Sequence, residues 1–125
     1  MTCKISGLLV ASGTHRGVEW HTHKSPFYGV NGYMRIPEGH PWRDLTYAEI
    51  NRRVRESDTE RFDGGAWELT YHADDGWIGF DTQHAWDSWP GMPYSAELAN
   101  TQWTPALVAV NARHWCGLIA NEVTA

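Results

Sequence analysis

The dipeptide Asp75-Gly76 stands between two runs rich in aromatic and β-branched residues, 67–72 and 77–82. In that setting Asp-Gly is a hairpin signal, and it constrains this chain more than any other feature. Side chains alternate across a strand, so Trp67, Leu69 and Tyr71 share one face of the first run, and Ile78, Phe80 and Thr82 one face of the second. An even-numbered loop sets these apolar trios on the same side, whereas an odd one opposes apolar to polar. The even loop is expected. The other face then carries Glu68, Thr70, His72, Trp77, Gly79 and Asp81. Glu68 and Asp81 fall opposite or diagonal to one another, where like charges repel unless a cation, a donor, water or a shared proton intervenes. Gly79 has no side chain and is expected to leave a hollow in that face.

The remaining elements follow from local patterns. An apolar run at 5–11 predicts a buried strand ending at Ser12-Gly13, and 17–23 alternates as a second strand. His21 and His23 have the spacing that puts two imidazoles on one strand face; with no third ligand in sight, a polar surface pair is the expectation. A third strand is expected within 27–37, centred on 32–36. Glu38-Gly39-His40-Pro41-Trp42 follows as a turn stiffened by prolines, with His40 as a candidate site residue. Thr46 and Glu49 form a capping box that starts a short helix at Tyr47 running to about Arg55, with Glu49 and Arg53 at ion-pair spacing. Pro90-Gly91-Met92-Pro93 forces a turn, and 94–99 suits a helical turn. Thr104-Pro105 is an N-cap followed by proline at the first helical position, opening a helix to about Asn121. Its stripe of Val108, Ala112, Trp115, Cys116 and Ile119 can cover a sheet, which makes Cys116 a small core residue rather than a nucleophile.

A single domain spanning 1–125 is expected, in the α+β class: an antiparallel sheet of about four or five strands packed against a C-terminal helix, with one additional short helix. Eight tryptophans are too many for all to lie inside so small a domain, so some are expected in a pocket or partner-binding patch. A net charge of −5 disfavours wrapping a nucleic-acid backbone. Arg52, Arg53 and Arg55, the one dense basic patch, read as a solvated helix face. Cys3 and Cys116 make no disulfide framework, no Cys/His zinc spacing occurs, and no stretch approaches a transmembrane span.

The densest polar cluster lies at 81–87. If the chain turns helical after Thr82, then Asp81, His84 and Asp87 share one side of a turn, within reach of Glu68 and His72. Such a set can hold a divalent metal (Mn²⁺, Mg²⁺ or Zn²⁺), split proton affinities for acid/base work, or hydrogen-bond a small ligand while Trp77 and Trp86 stack on its rings. Equally, Asp and His after a strand cap the next turn.

Gly32-Tyr33 is followed by Ile36-Pro37-Glu38-Gly39-His40-Pro41-Trp42; then come Gly64-Gly65 with Leu69-Thr70-Tyr71, and Trp77-Ile78-Gly79-Phe80-Asp81 with His84-Ala85 and Asp87. This order resembles the GYxxIPxGHP, HGGLTY and WxGFDxxHAGD segments of a group of small proteins encoded by tailed bacteriophages. The likeness runs from about Gly29 to Asp87. It departs where Asp63 replaces the His of HGG, where Ala66-Trp67-Glu68 is inserted, and where Trp86 replaces Gly. The resemblance implies a phage accessory protein working in the host cytoplasm, a setting rather than a mechanism. The leading expectation is a binding protein that inhibits or sequesters a host protein, an antiviral-defence component included, or a nucleotide-like ligand. Its surface comprises Glu68, His72, Trp77, Asp81, His84, Trp86, Asp87 and His40. No cofactor is required on this reading, no membrane or nucleic-acid backbone is engaged, and a homo-oligomer is compatible with it. The alternatives are a small metal-assisted hydrolase using Asp81, His84, Asp87 and Glu68, and a structural component of the virion.

Overall fold

Arg16 and Gly17, both with positive φ (52° and 82°), close the first hairpin. His15 pairs with Val18, so the loop has two residues, and its mirror-image geometry matches the twist of the strands it joins. The computed structural model describes residues 5, 7–26, 29–57, 66–83, 87–90 and 101–124, with backbone alone for Asp87, Ser88, Val123 and Thr124. The hairpin strands are β1 (Leu9–His15) and β2 (Val18–Lys24). β3 (Val30–Arg35), α1 (Tyr47–Ser57), β4 (Tyr71–His72) and β5 (Trp77–Phe80) come next. β6 (Asp87–Ser88), β7 (Thr101–Gln102) and α2 (Pro105–Thr124) complete the order. Five strands form one antiparallel sheet in the order β1-β2-β3-β5-β4, while β6 and β7 pair in parallel. The α+β expectation holds.

One side of this sheet carries the core. Val18 and Trp20 of β2 and Val30 and Met34 of β3 meet the α2 stripe of Val108, Ala112, Trp115, Cys116 and Ile119, and Ile78 and Phe80 of β5 join the same core. Each large side chain buried this way contributes roughly 1.5–3 kcal/mol. Thr104 caps α2 by accepting the Leu107 N–H at 3.1 Å, and the Thr46–Glu49 capping box opens α1 with reciprocal bonds of 3.2 and 3.3 Å. From α1, Ile50 and Val54 reach the same core, and Asn51 clasps the Leu69 backbone. Its Oδ1 accepts the Leu69 N–H at 2.7 Å, and its Nδ2 donates to the Leu69 carbonyl at 2.9 Å.

Several expectations are corrected. The central loop is odd, not even: Tyr71 pairs with Gly79 and His72 with Ile78, leaving Asp74, Asp75 and Gly76 as the turn. Tertiary docking selects it. Gly76 is pressed against the end of β3, where its carbonyl accepts the Ile36 N–H at 2.9 Å and a Cβ would meet the Ile36 carbonyl at 2.6 Å. A bulge then repairs the phase. The Thr70 N–H also donates to the Gly79 carbonyl (2.9 Å), so two residues face one, and Leu69 returns to the core. Tyr71 consequently lies on the face of Trp77 and His72 on the opposite one, reversing the expected assignment of both.

The first strand is not the buried run at 5–11. Gly7 adopts φ 90°, the strand begins at Leu9, and pairing with β2 carries it through Ser12-Gly13 to the turn. It lies at the sheet edge, and Leu8, Leu9 and Val10 are 76%, 54% and 45% exposed. Asp87 belongs to an extended pair with Thr101, and the helical turn expected after Thr82 falls on 84–86, outside the described residues. Arg53 reaches Glu122 of α2 at 3.4 Å, while Glu49 serves the capping box. The tryptophans build the interior more than a patch: Trp20, Trp42, Trp77, Trp89, Trp103 and Trp115 are buried, and Trp67 is half-buried beneath the Arg55 guanidinium. The turns expected at 91–99 lie outside the described residues.

Candidate functional site

Side-chain alternation sends Glu19, His21 and His23 of β2 away from α2, and the strand registers bring partners from three more strands beside them. His21 pairs with Tyr33, Tyr33 with Gly79, Arg35 with Trp77, and Tyr71 with Gly79. The hollow expected at Gly79 is filled: a Cβ there would lie 2.5 Å from the Tyr33 ring, so the missing side chain makes room for Tyr33. The result is a continuous row of rings. His21 lies 4.8 Å from Trp77 and 5.7 Å from His23, His23 lies 5.5 Å edge-on from Tyr33, and Tyr33 lies 5.3 Å edge-on from Tyr71.

Electrostatics gives this row a direction. His21 donates through Nε2 to Glu19 Oε2 at 2.9 Å, with the imidazole largely buried (13% exposed) and the carboxylate open to solvent (42%). That bond places the His21 lone pair on Nδ1, a buried atom with no hydrogen-bond partner among the described residues. His23 is oriented by Nδ1–H donation to the Gly7 carbonyl at 3.2 Å. With the imidazole largely buried beside an indole, the group of this pair that is open to a ligand is the Glu19 carboxylate.

The described sequence candidates are dispersed. Trp77 sits within the row and is 5% exposed. Asp81 is half-buried beyond the end of β5, and Glu68 is exposed. His72 projects to the other side of the sheet and stacks on Tyr47 at 6.1 Å. His40 serves as a tether. It is buried, donates through Nε2 to the Ile119 carbonyl of α2 at 2.7 Å, and accepts the Trp42 N–H at Nδ1 at 2.9 Å. Both ring nitrogens are thereby used. His84 and Trp86 lie outside the described residues, as does the Asp87 side chain.

Among the described residues no group of three or more His, Cys, Asp or Glu side chains is arranged to hold a metal ion. The Cys116 thiol is buried, its Sγ 3.6 Å from the Val18 carbonyl, and burial pushes its pKa up to about 12. It is a core residue, not a thiolate nucleophile. No described helix is long and apolar enough to cross a membrane.

The candidate pair missed by sequence reasoning is Glu19–His21. Its signal was the alternation of acid and imidazole along β2. What gives it weight is the neighbouring Trp77, which depends on β3 lying between β2 and β5. No protein-family model, curated protein or solved structure matches this chain.

Proposed function

We propose that this chain is a bacteriophage accessory protein that acts by binding. It inhibits or sequesters a host protein or a nucleotide-like ligand in the host cytoplasm, through the ring-bearing side of its sheet. The observation supporting this reading is the row Trp77–His21–His23–Tyr33–Tyr71 over four strands, in which buried Trp77 and His23 and largely buried His21 back the half-buried Tyr33 and Tyr71 rings and the open Glu19 carboxylate. Aromatic faces and edges contribute about 0.5–1.5 kcal/mol per well-placed ring contact beyond area burial. A rigid sheet holds them without an ordering cost at binding. The Glu19–His21 pair adds an oriented polar group that distinguishes a hydrogen-bonding partner from a merely apolar one.

The test is capture from host lysate by the tagged full chain, with mass spectrometry of proteins and small molecules. His21→Gln and Tyr71→Ala, alone and together, are expected to reduce capture at least tenfold while the melting temperature stays within about 5 °C of the parent. Undiminished capture by the folded double variant would move the function off this face. A second reading, hydrolysis with the Glu19 carboxylate as base, is favoured by its 42% exposure and its 2.9 Å bond to His21. A metal-assisted form of it predicts a melting temperature that responds to Mn²⁺ and EDTA.

A further inference from the structure

On the α2 side of the sheet, a groove of about 480 Å³ runs between the β1–β2 turn and the outer flank of the helix. His15 and Arg16 enter it from the hairpin; Arg113 and His114 enter from α2, with Gly117 and Asn121 further along. Steps of three and four bring these helical positions to one side, adjoining the buried stripe. No Asp or Glu lines the groove among the described residues, although the chain carries a net charge of −5. The local sign of charge is inverted.

Both arginines are held in place. Arg16 Nη1 donates to Asn121 Oδ1 at 2.6 Å and to the Gly117 carbonyl at 3.4 Å. The Arg113 guanidinium lies over the Trp20 ring, its Cζ 5.5 Å from the centroid. A guanidinium has five N–H donors, and stacking on a ring face leaves its edge available to an oxyanion.

Two residues here are poor local choices for the fold. Arg16 has φ 52° in a two-residue turn, a conformation that favours Asn, Asp or Gly. Its hydrogen bonds are exposed and so contribute little to stability. Gly117 lies inside α2, where alanine is the better helix former, and an added Cβ would meet only Arg16 Nη1 at an ordinary 3.8 Å. Neither packing nor backbone geometry requires glycine there. Locally unfavourable residues that converge on one cavity mark a functional site.

We propose that this groove binds a phosphate-bearing small molecule of nucleotide size, its phosphate oxygens held by Arg16 and Arg113 beside His15 and His114. Arginine forks match phosphate oxygens bidentately, and the volume falls in the range of small-molecule sites. The groove lies across the sheet from the ring row, and the proposal stands independently of that row's function.

Calorimetric titration of the full chain with inorganic phosphate, tripolyphosphate and ATP, in low and moderate salt, tests it. Tripolyphosphate or ATP is expected to bind at one site, more weakly as salt rises. Arg16→Asn is expected to weaken that binding at least tenfold while leaving the melting temperature unchanged or higher, because the turn is relieved. Gly117→Ala is expected to raise the melting temperature and weaken ATP binding several-fold, and it decides the matter if Arg16→Asn fails to fold. Absence of binding by all three probes at millimolar concentration overturns the proposal, as does ATP affinity unaltered in the folded variants.

Discussion

His40 shows how a residue in a motif-like loop can be structural. Its imidazole bridges the turn after β3 and the last turns of α2, using one nitrogen as donor and the other as acceptor. His40→Ala leaves the buried Trp42 N–H and Ile119 carbonyl without these partners. A loss of about 2–4 kcal/mol is expected, read as a lower denaturant midpoint at unchanged slope. A stability loss below about 0.5 kcal/mol would show that the tether contributes nothing. The pattern 38–42 announced a stiff turn, but no property of the pentapeptide indicated that its imidazole would meet a helix 79 residues further on. Asn51 repeats the lesson: helical in sequence context, it is spent on the backbone of Leu69.

At the scale of the element, caps and stripes were legible because they depend on neighbours within a few positions. The Thr46–Glu49 box, the Thr104 cap and the α2 stripe form as the spacing requires. The central hairpin was legible in its second strand and misread in its first. Alternation alone cannot register a bulge, and the Thr70–Tyr71 bulge exchanges Tyr71 and His72 between faces. Gly79 was correctly singled out, but as an opening rather than as the seat of Tyr33. Gly79→Ala is expected to displace that ring, destabilise the domain by about 1–3 kcal/mol, and disturb the Tyr33–Tyr71 contact. Chemical denaturation and the aromatic near-ultraviolet circular dichroism read the two effects separately, and full stability in the variant would contradict the packing described.

For the whole molecule, the strand order places β3 at the centre, α2 across one side and the ring row on the other. The order also leaves β1 as an edge with Leu8, Leu9 and Val10 exposed and no Asp, Glu, Lys or Arg between them and the turn at Arg16. Edges of this kind are prone to pair with other chains unless a charge interrupts them. Leu9→Lys is therefore expected to lower concentration-dependent light scattering while changing stability by no more than about 0.5 kcal/mol. Equal scattering by the two proteins would show that the edge is inert.

Sequence by itself determined what near neighbours decide. The two helices and their starts, the strand-rich first half, the inward phase of Ile78 and Phe80 and the buried character of Cys116 all follow from spacing, capping chemistry and apolar period. Tertiary structure alone decided which strands adjoin and how the turn at Asp74–Gly76 seats on β3. It also decided that Glu19, His21 and Tyr71, rather than His72, share a face with Trp77. Those outcomes rest on hydrogen bonds and ring contacts between segments dozens of residues apart, which a local pattern does not encode.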